Sequence, residues 1–234
     1  MTTAPRLLDL VAEQHPTLFP RRMKSDGTVQ NTSKVAQGRT VVRNMAEVTS
    51  ICFHQTACVF GPLDEPEKRW RRALRIPAHV TAFRDGVYVQ AAPLSWFLYH
   101  GNGVNPFSLG LEMEGQYPGL MDDPRTPARE DELTFWPAGA KKPTPLDGLA
   151  LATFRAAAAH LVEEGRRQGA PIRYAVAHRQ ANGQKLSDPG QELWQRVVVD
   201  YACRELGLEV RCDDTWGGGK KIPAAWDSRA SARY

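Results

Sequence analysis

Residues Phe107 to Glu114 constrain the fold more than any other stretch, because they alternate without interruption. Phe107, Leu109, Leu111 and Met113 fall on one side of an extended chain, and Ser108, Gly110, Glu112 and Glu114 on the other. Such a segment is a half-buried strand whose apolar row faces a core. Its opposite face then presents two carboxylates. A second strand is expected over Val48 to His54, with Ile51 and Phe53 on one face and Cys52 and His54 on the other. Val80 to Phe83 and Val87 to Ala91 flank Arg84-Asp85-Gly86, and Asp-Gly between β-rich runs predicts a hairpin. Ile172 to Ala177 is a further apolar strand, ending at His178.

Helical periodicity separates these strands. Thr144 is expected to cap a helix starting at Pro145 and running to about Gln168, with Ala150, Phe154, Ala157, Leu161 and Val162 on its apolar stripe. Gly169 would stop it. Gln191 to Leu206 predicts a last helix burying Leu193, Trp194, Val197, Val198 and Tyr201. Leu7 to Glu13 suggests a short helix, Gly61 to Arg75 a charged helix on the rim, and residues 16–45 an irregular lead-in. The order of strands, long loop, helix, strand and helix predicts an α/β fold: a single domain with a central mixed β-sheet flanked by helices. A catalytic domain over 46–206 would follow the lead-in of 1–45 and precede a tail of 207–234 that can fold back on it. The loop 117–145 holds six of the 17 prolines, and a loop of that length is usually functional or disordered.

The 234 residues suit one domain of generous size, and a net charge of +4 is too small to argue for nucleic acid, though it favours an anionic polymer. Four cysteines without CxxC spacing read as reduced thiols. Residues Met1 to Arg22 lack a signal-peptide pattern, so synthesis in the cytoplasm is expected, and action outside it would need some other means of release. No stretch is long and apolar enough to insert in a membrane.

Several residue types invite chemistry. His178 ends an apolar strand, and Asp188 lies ten residues on in a Ser-Asp-Pro-Gly turn. With His54 they offer two nitrogens and one oxygen, leaving a fourth position for water: a catalytic rather than a structural zinc set. Asp188 can equally cap the helix that follows it, and spacing alone does not decide. One of Glu112 and Glu114 can serve as general base, or both can form a solvated face. Lys185 is either a loop lysine or a group that holds negative charge on an oxyanion. A thiol hydrolase using Cys52 or Cys58 with His178 is the competing chemistry. It would need an exposed, electropositive cysteine.

Five motifs occur in order: Phe53-His54-Gln55-Thr56-Ala57; Ala78-His79-Val80 before Arg84-Asp85-Gly86; Tyr99-His100-Gly101; Ser108 to Gly115; and Ala177-His178-Arg179-Gln180 followed by Asp188-Pro189-Gly190. Together they resemble the zinc-dependent N-acetylmuramoyl-L-alanine amidases of the type 2 amidase and peptidoglycan recognition protein family, over roughly residues 46–205. The resemblance implies one zinc ion per chain, held in a surface cleft by His54, His178 and Asp188. It makes Glu112 rather than Glu114 the catalytic carboxylate and places His79 and His100 on the substrate side. It implies a monomer acting on peptidoglycan or muropeptides: a cell-wall-lytic, endolysin-like amidase, a recycling amidase, or a binding module that does not cut. One departure is visible. Many active members place a lysine two residues before the third ligand, where this chain has Leu186, with Lys185 one step earlier.

Overall fold

The three parallel pairings at the centre of the molecule follow directly from its most apolar segments. In a computed structural model, which describes residues 4–11, 21–23, 29–31, 35–36, 39–60, 76–119 and 143–227, seven strands form one mixed sheet. In chain order they are β1 (Arg6–Asp9), β2 (Ser50–Gln55), β3 (Val80–Ala82), β4 (Val87–Gln90), β5 (Ser108–Met113), β6 (Tyr174–Ala177) and β7 (Glu209–Val210). Across the sheet the order is β1-β4-β3-β5-β2-β6-β7. All neighbours are parallel except the β3–β4 hairpin. The carboxyl ends of β3, β5, β2 and β6 therefore share one edge.

Two helices cover one face. The first, α1 (Gly148–Arg167), lays Ala150, Phe154, Ala157, Leu161 and Val162 against Ile51, Phe53, Leu109, Leu111 and Met113. The second, α2, begins as Gln191–Leu193 and continues with wider, i→i+5 turns over Trp194–Cys203. It buries Leu193, Trp194, Val197 and Val198 beside α1, while Tyr201 stays half-buried. A fully buried Leu or Phe in this layer contributes roughly 2–3 kcal/mol.

Several boundaries differ from the sequence reading, each for a local reason. Arg6–Asp9 is a strand, not the start of a helix, because it pairs with the free side of β4. Leu10 then packs with Phe83, Val87 and Val89. Helix α1 is capped by Asp147, whose Oδ1 accepts from the Ala150 amide at 2.9 Å. Thr144 is occupied elsewhere, accepting from the Gln116 amide. Within the lead-in, Arg21–Met23 pairs with Val29–Asn31 and Val35–Ala36 with Arg39–Thr40. The rim helix expected over Gly61 to Arg75, and residues 120–142 of the proline-rich loop, lie outside the described residues.

The tail does fold back. Its β7 joins the sheet, and Trp226 is fully buried with its ring 6.2 Å from that of Trp194. Between them the chain runs along the segment that follows His178. The Trp216 amide donates to Gln180 O and the Lys220 amide to Arg179 O, both at 2.8 Å. Gly219 presses so close that a Cβ there would lie 1.9 Å from Gln180 O.

Candidate metal centre

Register alone brings most of the site together. His54 on β2 pairs with Glu112 on β5, and Phe53 pairs with Ala177, so His178 emerges beside His54. Side chains in register on parallel strands point the same way. His178, His54 and Glu112 thus form a row at the carboxyl edge, on the face away from the helices. Asp188 reaches the same point from the following loop.

The three donors converge. His54 Nδ1 lies 3.1 Å from His178 Nδ1, and Asp188 Oδ2 lies 2.9 Å from His178 Nδ1 and 3.8 Å from His54 Nδ1. Metal–ligand bonds of about 2.0–2.1 Å at tetrahedral angles would set donors about 3.3–3.4 Å apart, and these separations bracket that value. The outer nitrogens are already committed. His178 Nε2 donates to Asn102 Oδ1 at 2.8 Å. His100 Nε2 donates to Ser108 O, which leaves His100 Nδ1 to accept from His54 Nε2 at 3.2 Å. With each ring's proton engaged on its far side, both Nδ1 lone pairs and a carboxylate oxygen face one another. A single cation satisfies all three, and the donor set fits zinc.

Neighbouring groups oppose burial at Asp188 and reinforce it at Glu112. His54 is fully buried, which pulls its pKa down to about 4 despite Asp188 pulling the other way; the charges of His178 and Lys185 add to the lowering. Burial raises the Asp188 pKa, but its contacts with His178, followed by those with His54, outweigh it and hold the carboxyl well below the usual range. Glu112 is pushed up to about 8, first by burial and then by Asp188, with Lys185 opposing. Its side chain keeps 15% exposure, and Oε1 sits 4.0 Å from His54 Nδ1 while Oε2 has no hydrogen-bond partner. A divalent cation beside it would draw the carboxyl back toward its ionised form.

The structure separates the remaining candidates. Glu114 is buried and accepts from the amides of Phe60 at 2.7 Å and Arg84 at 2.9 Å, so it holds loops rather than facing the site. Asp188 does not cap α2: its Oδ1 accepts from the Gln55 amide at 2.9 Å. The Lys185 charge reaches both His54 and Glu112. His100 lies behind His54, supporting it rather than lining an open surface, and only Gly110 admits it, since a Cβ there would be 2.7 Å from the ring. His79 has no exposed surface, and its Nδ1 accepts from the Gly110 amide. The substrate-side placement of these two histidines therefore gives way to a supporting one. Their neutral state follows: burial first, then the charge of Arg43, keeps His79 well below its ordinary pKa.

Cys52, His54 and His100 also lie close enough to share an ion. Burial, then the charges of Asp188 and Glu112, pushes the Cys52 thiol well up, so it stays protonated and is poor as ligand or nucleophile. Sequence reasoning missed Asn102, which the structure marks by a positive φ of 52° in a non-glycine residue. It also missed Gln55, whose side chain donates to Ser187 O and Tyr117 O and ties the Asp188 loop to β2.

No family model and no curated protein matches the chain. Solved structures resemble it in outline. The endolysin N-acetylmuramoyl-L-alanine amidase LysCS of Clostridium intestinale URNW has a TM-score of 0.44 at 14% identity, covering 89% of this chain and 100% of its own. The amidase LysC of the same organism gives 0.46 at 13%, covering 88% and 100%. The Ph2119 endolysin of Thermus scotoductus MAT2119 bacteriophage Ph2119 gives 0.41 at 17%, covering 79% and 92%. Among the described residues no helix is long and apolar enough to cross a membrane.

Proposed function

We propose that the chain is a zinc-dependent peptidoglycan amidase of endolysin type, hydrolysing the amide between N-acetylmuramic acid and L-alanine of the stem peptide. The observation that carries the metal reading is the meeting of His54 Nδ1, His178 Nδ1 and Asp188 Oδ2, with each ring's proton engaged on its far side. The choice of substrate rests on the five ordered motifs of the sequence rather than on the outline likenesses above.

Zinc bound there would acidify a water and polarise the scissile carbonyl. His54, His178 and Asp188 would hold the ion. Glu112, with an oxygen unpartnered at the edge of the donor cluster, would take the proton of the attacking water and return it to the leaving amine. Lys185, whose charge already acts on His54 and Glu112, would favour the negative charge that develops on the carbonyl oxygen.

The test is the release of new L-alanine amino termini from purified peptidoglycan by the zinc-loaded protein. Release that stops on chelation and returns with zinc supports the reading. Zinc-loaded protein that binds sacculi and releases none contradicts it, and favours a non-cutting binding module.

A further inference from the structure

On the same sheet face as the donor cluster, but at the amino ends of the strands, lies a half-open pocket of roughly 250 Å³ that the proposed chemistry does not use. Its walls are aromatic: Phe107 and Trp216 stand with ring centroids 5.5 Å apart, and Tyr174 forms a further wall. The hydroxyls of Thr49 and Ser50, themselves 3.3 Å apart, line it as well, with the Arg211 guanidinium 5.3 Å from the Tyr174 ring centre. The charges around it are paired. Arg211 Nε pairs with Asp214 Oδ2 at 2.8 Å, and Arg173 forms a looser ion pair with Glu209 at 3.7 Å. The pocket therefore offers flat apolar faces, hydroxyls and N–H donors without a net field for an anion.

That combination suits a neutral ring with apolar faces and a polar rim, which is the shape of a sugar. The volume admits a single ring. Ser50 and His54 share a strand face four residues apart, about 13 Å at ~3.3 Å per residue. Between them lies the turn Asn102–Val104, with Asn102 bonded to His178 and Gly103 against Trp216.

We infer that the Phe107–Trp216–Tyr174 pocket is a subsite for an N-acetylated sugar ring of a glycan strand, anchoring polymeric substrate away from the scissile bond. This rests on the peptidoglycan reading for its biological polymer, but its binding chemistry is separate from the metal. The probe is chitotetraose, a peptide-free oligomer of N-acetylglucosamine, titrated into the full zinc-loaded chain by calorimetry. Trp216→Ala should weaken binding by roughly tenfold or more, and Trp216→Phe, which keeps an aromatic face, should restore most of it. On sacculi Trp216→Ala should raise KM with kcat unchanged, while cleavage of a small soluble muropeptide stays as in wild type. Saturable binding that depends on Trp216 supports the subsite even if no amide is ever cleaved, so the two readings fail separately. Absent binding, binding indifferent to both Trp216 variants, or preferential capture of a sugar-free stem peptide at Trp216 would overturn it.

Discussion

The two halves of the donor cluster are held by different means. His54 and Glu112 stand on adjacent central strands, and the six-residue register of β2 with β5 sets their separation. His178 stands on the 3-10 turn that directly follows β6 and Asp188 on the loop beyond it, and what steadies that segment comes from distant parts of the chain. Gln55 reaches it from β2, Asn102 from the turn 102–104, and the C-terminal tail through the backbone amides of Trp216 and Lys220 and the ring of Trp226. Strand-borne groups are positioned by the backbone ladder and change only when the sheet does. The segment beyond β6 depends in part on side chains that can be removed singly, Asn102, Gln55 and Trp226 among them, so the geometry of the site should be tunable from the His178 side.

The largest effect should come from the strand-borne half. Glu112→Ala is expected to lower amide hydrolysis by about 10²–10⁴-fold while zinc stays bound, measured as turnover beside metal content. If zinc is lost as well, Glu112 serves the metal and not the proton. Next comes the tail. Trp226→Ala should cost about 3–5 kcal/mol of stability and loosen the packing of Arg179 beside His178, whose guanidinium lies 4.9 Å from the Trp226 ring centre. A variant with a lowered Tm but wild-type zinc affinity would show that the tail stabilises the fold without steadying the ligand loop.

Asn102→Ala tests one contact. Removing the acceptor of His178 Nε2 should weaken zinc affinity by about 10–100-fold in chelator competition, with little change in Tm. Asn102→Asp, which keeps an oxygen acceptor, should retain affinity. Equal losses in both variants would assign the effect to the strained backbone at Asn102 instead.

The smallest effect is the pH dependence of the metal-free protein. His54 titrates at about 4 when folded against an ordinary value near 6.5, so the unfolded chain binds its proton first. The stability that His54 contributes as a neutral ring is complete above about pH 6.5 and is lost as pH falls toward 4. The Tm of the apo protein should decline over that window, and the decline should be shallower in a His54→Gln variant. An identical slope in both would remove His54 from the account.

This contrast also explains what could be read from the sequence. The β5 alternation, the Asp-Gly hairpin and the heptad-like stripe of α1 are local patterns, and they appear where expected. Alternation also says which face His54 and Glu112 each occupy, but that their strands are neighbours and pair them in register is a feature of the fold. The strand at Arg6–Asp9 was not legible, because its pairing partner β4 lies far along the chain and its own composition is neutral. The roles of Asn102, Gln55 and His100 depend on contacts between segments 46 to 133 residues apart, which no local pattern records. Thr144 and Asp147 are both good caps, and the choice between them was made by Gln116, which claims the first.

The most direct test of the metal assignment is X-ray absorption at the zinc edge of the reconstituted protein. The expected shell is two imidazole nitrogens and light oxygen donors at about 2.0–2.1 Å, with no sulfur, from His54, His178, Asp188 and water. A sulfur at about 2.3 Å would place the ion on Cys52, His54 and His100 instead, and would contradict the assignment of His178 and Asp188.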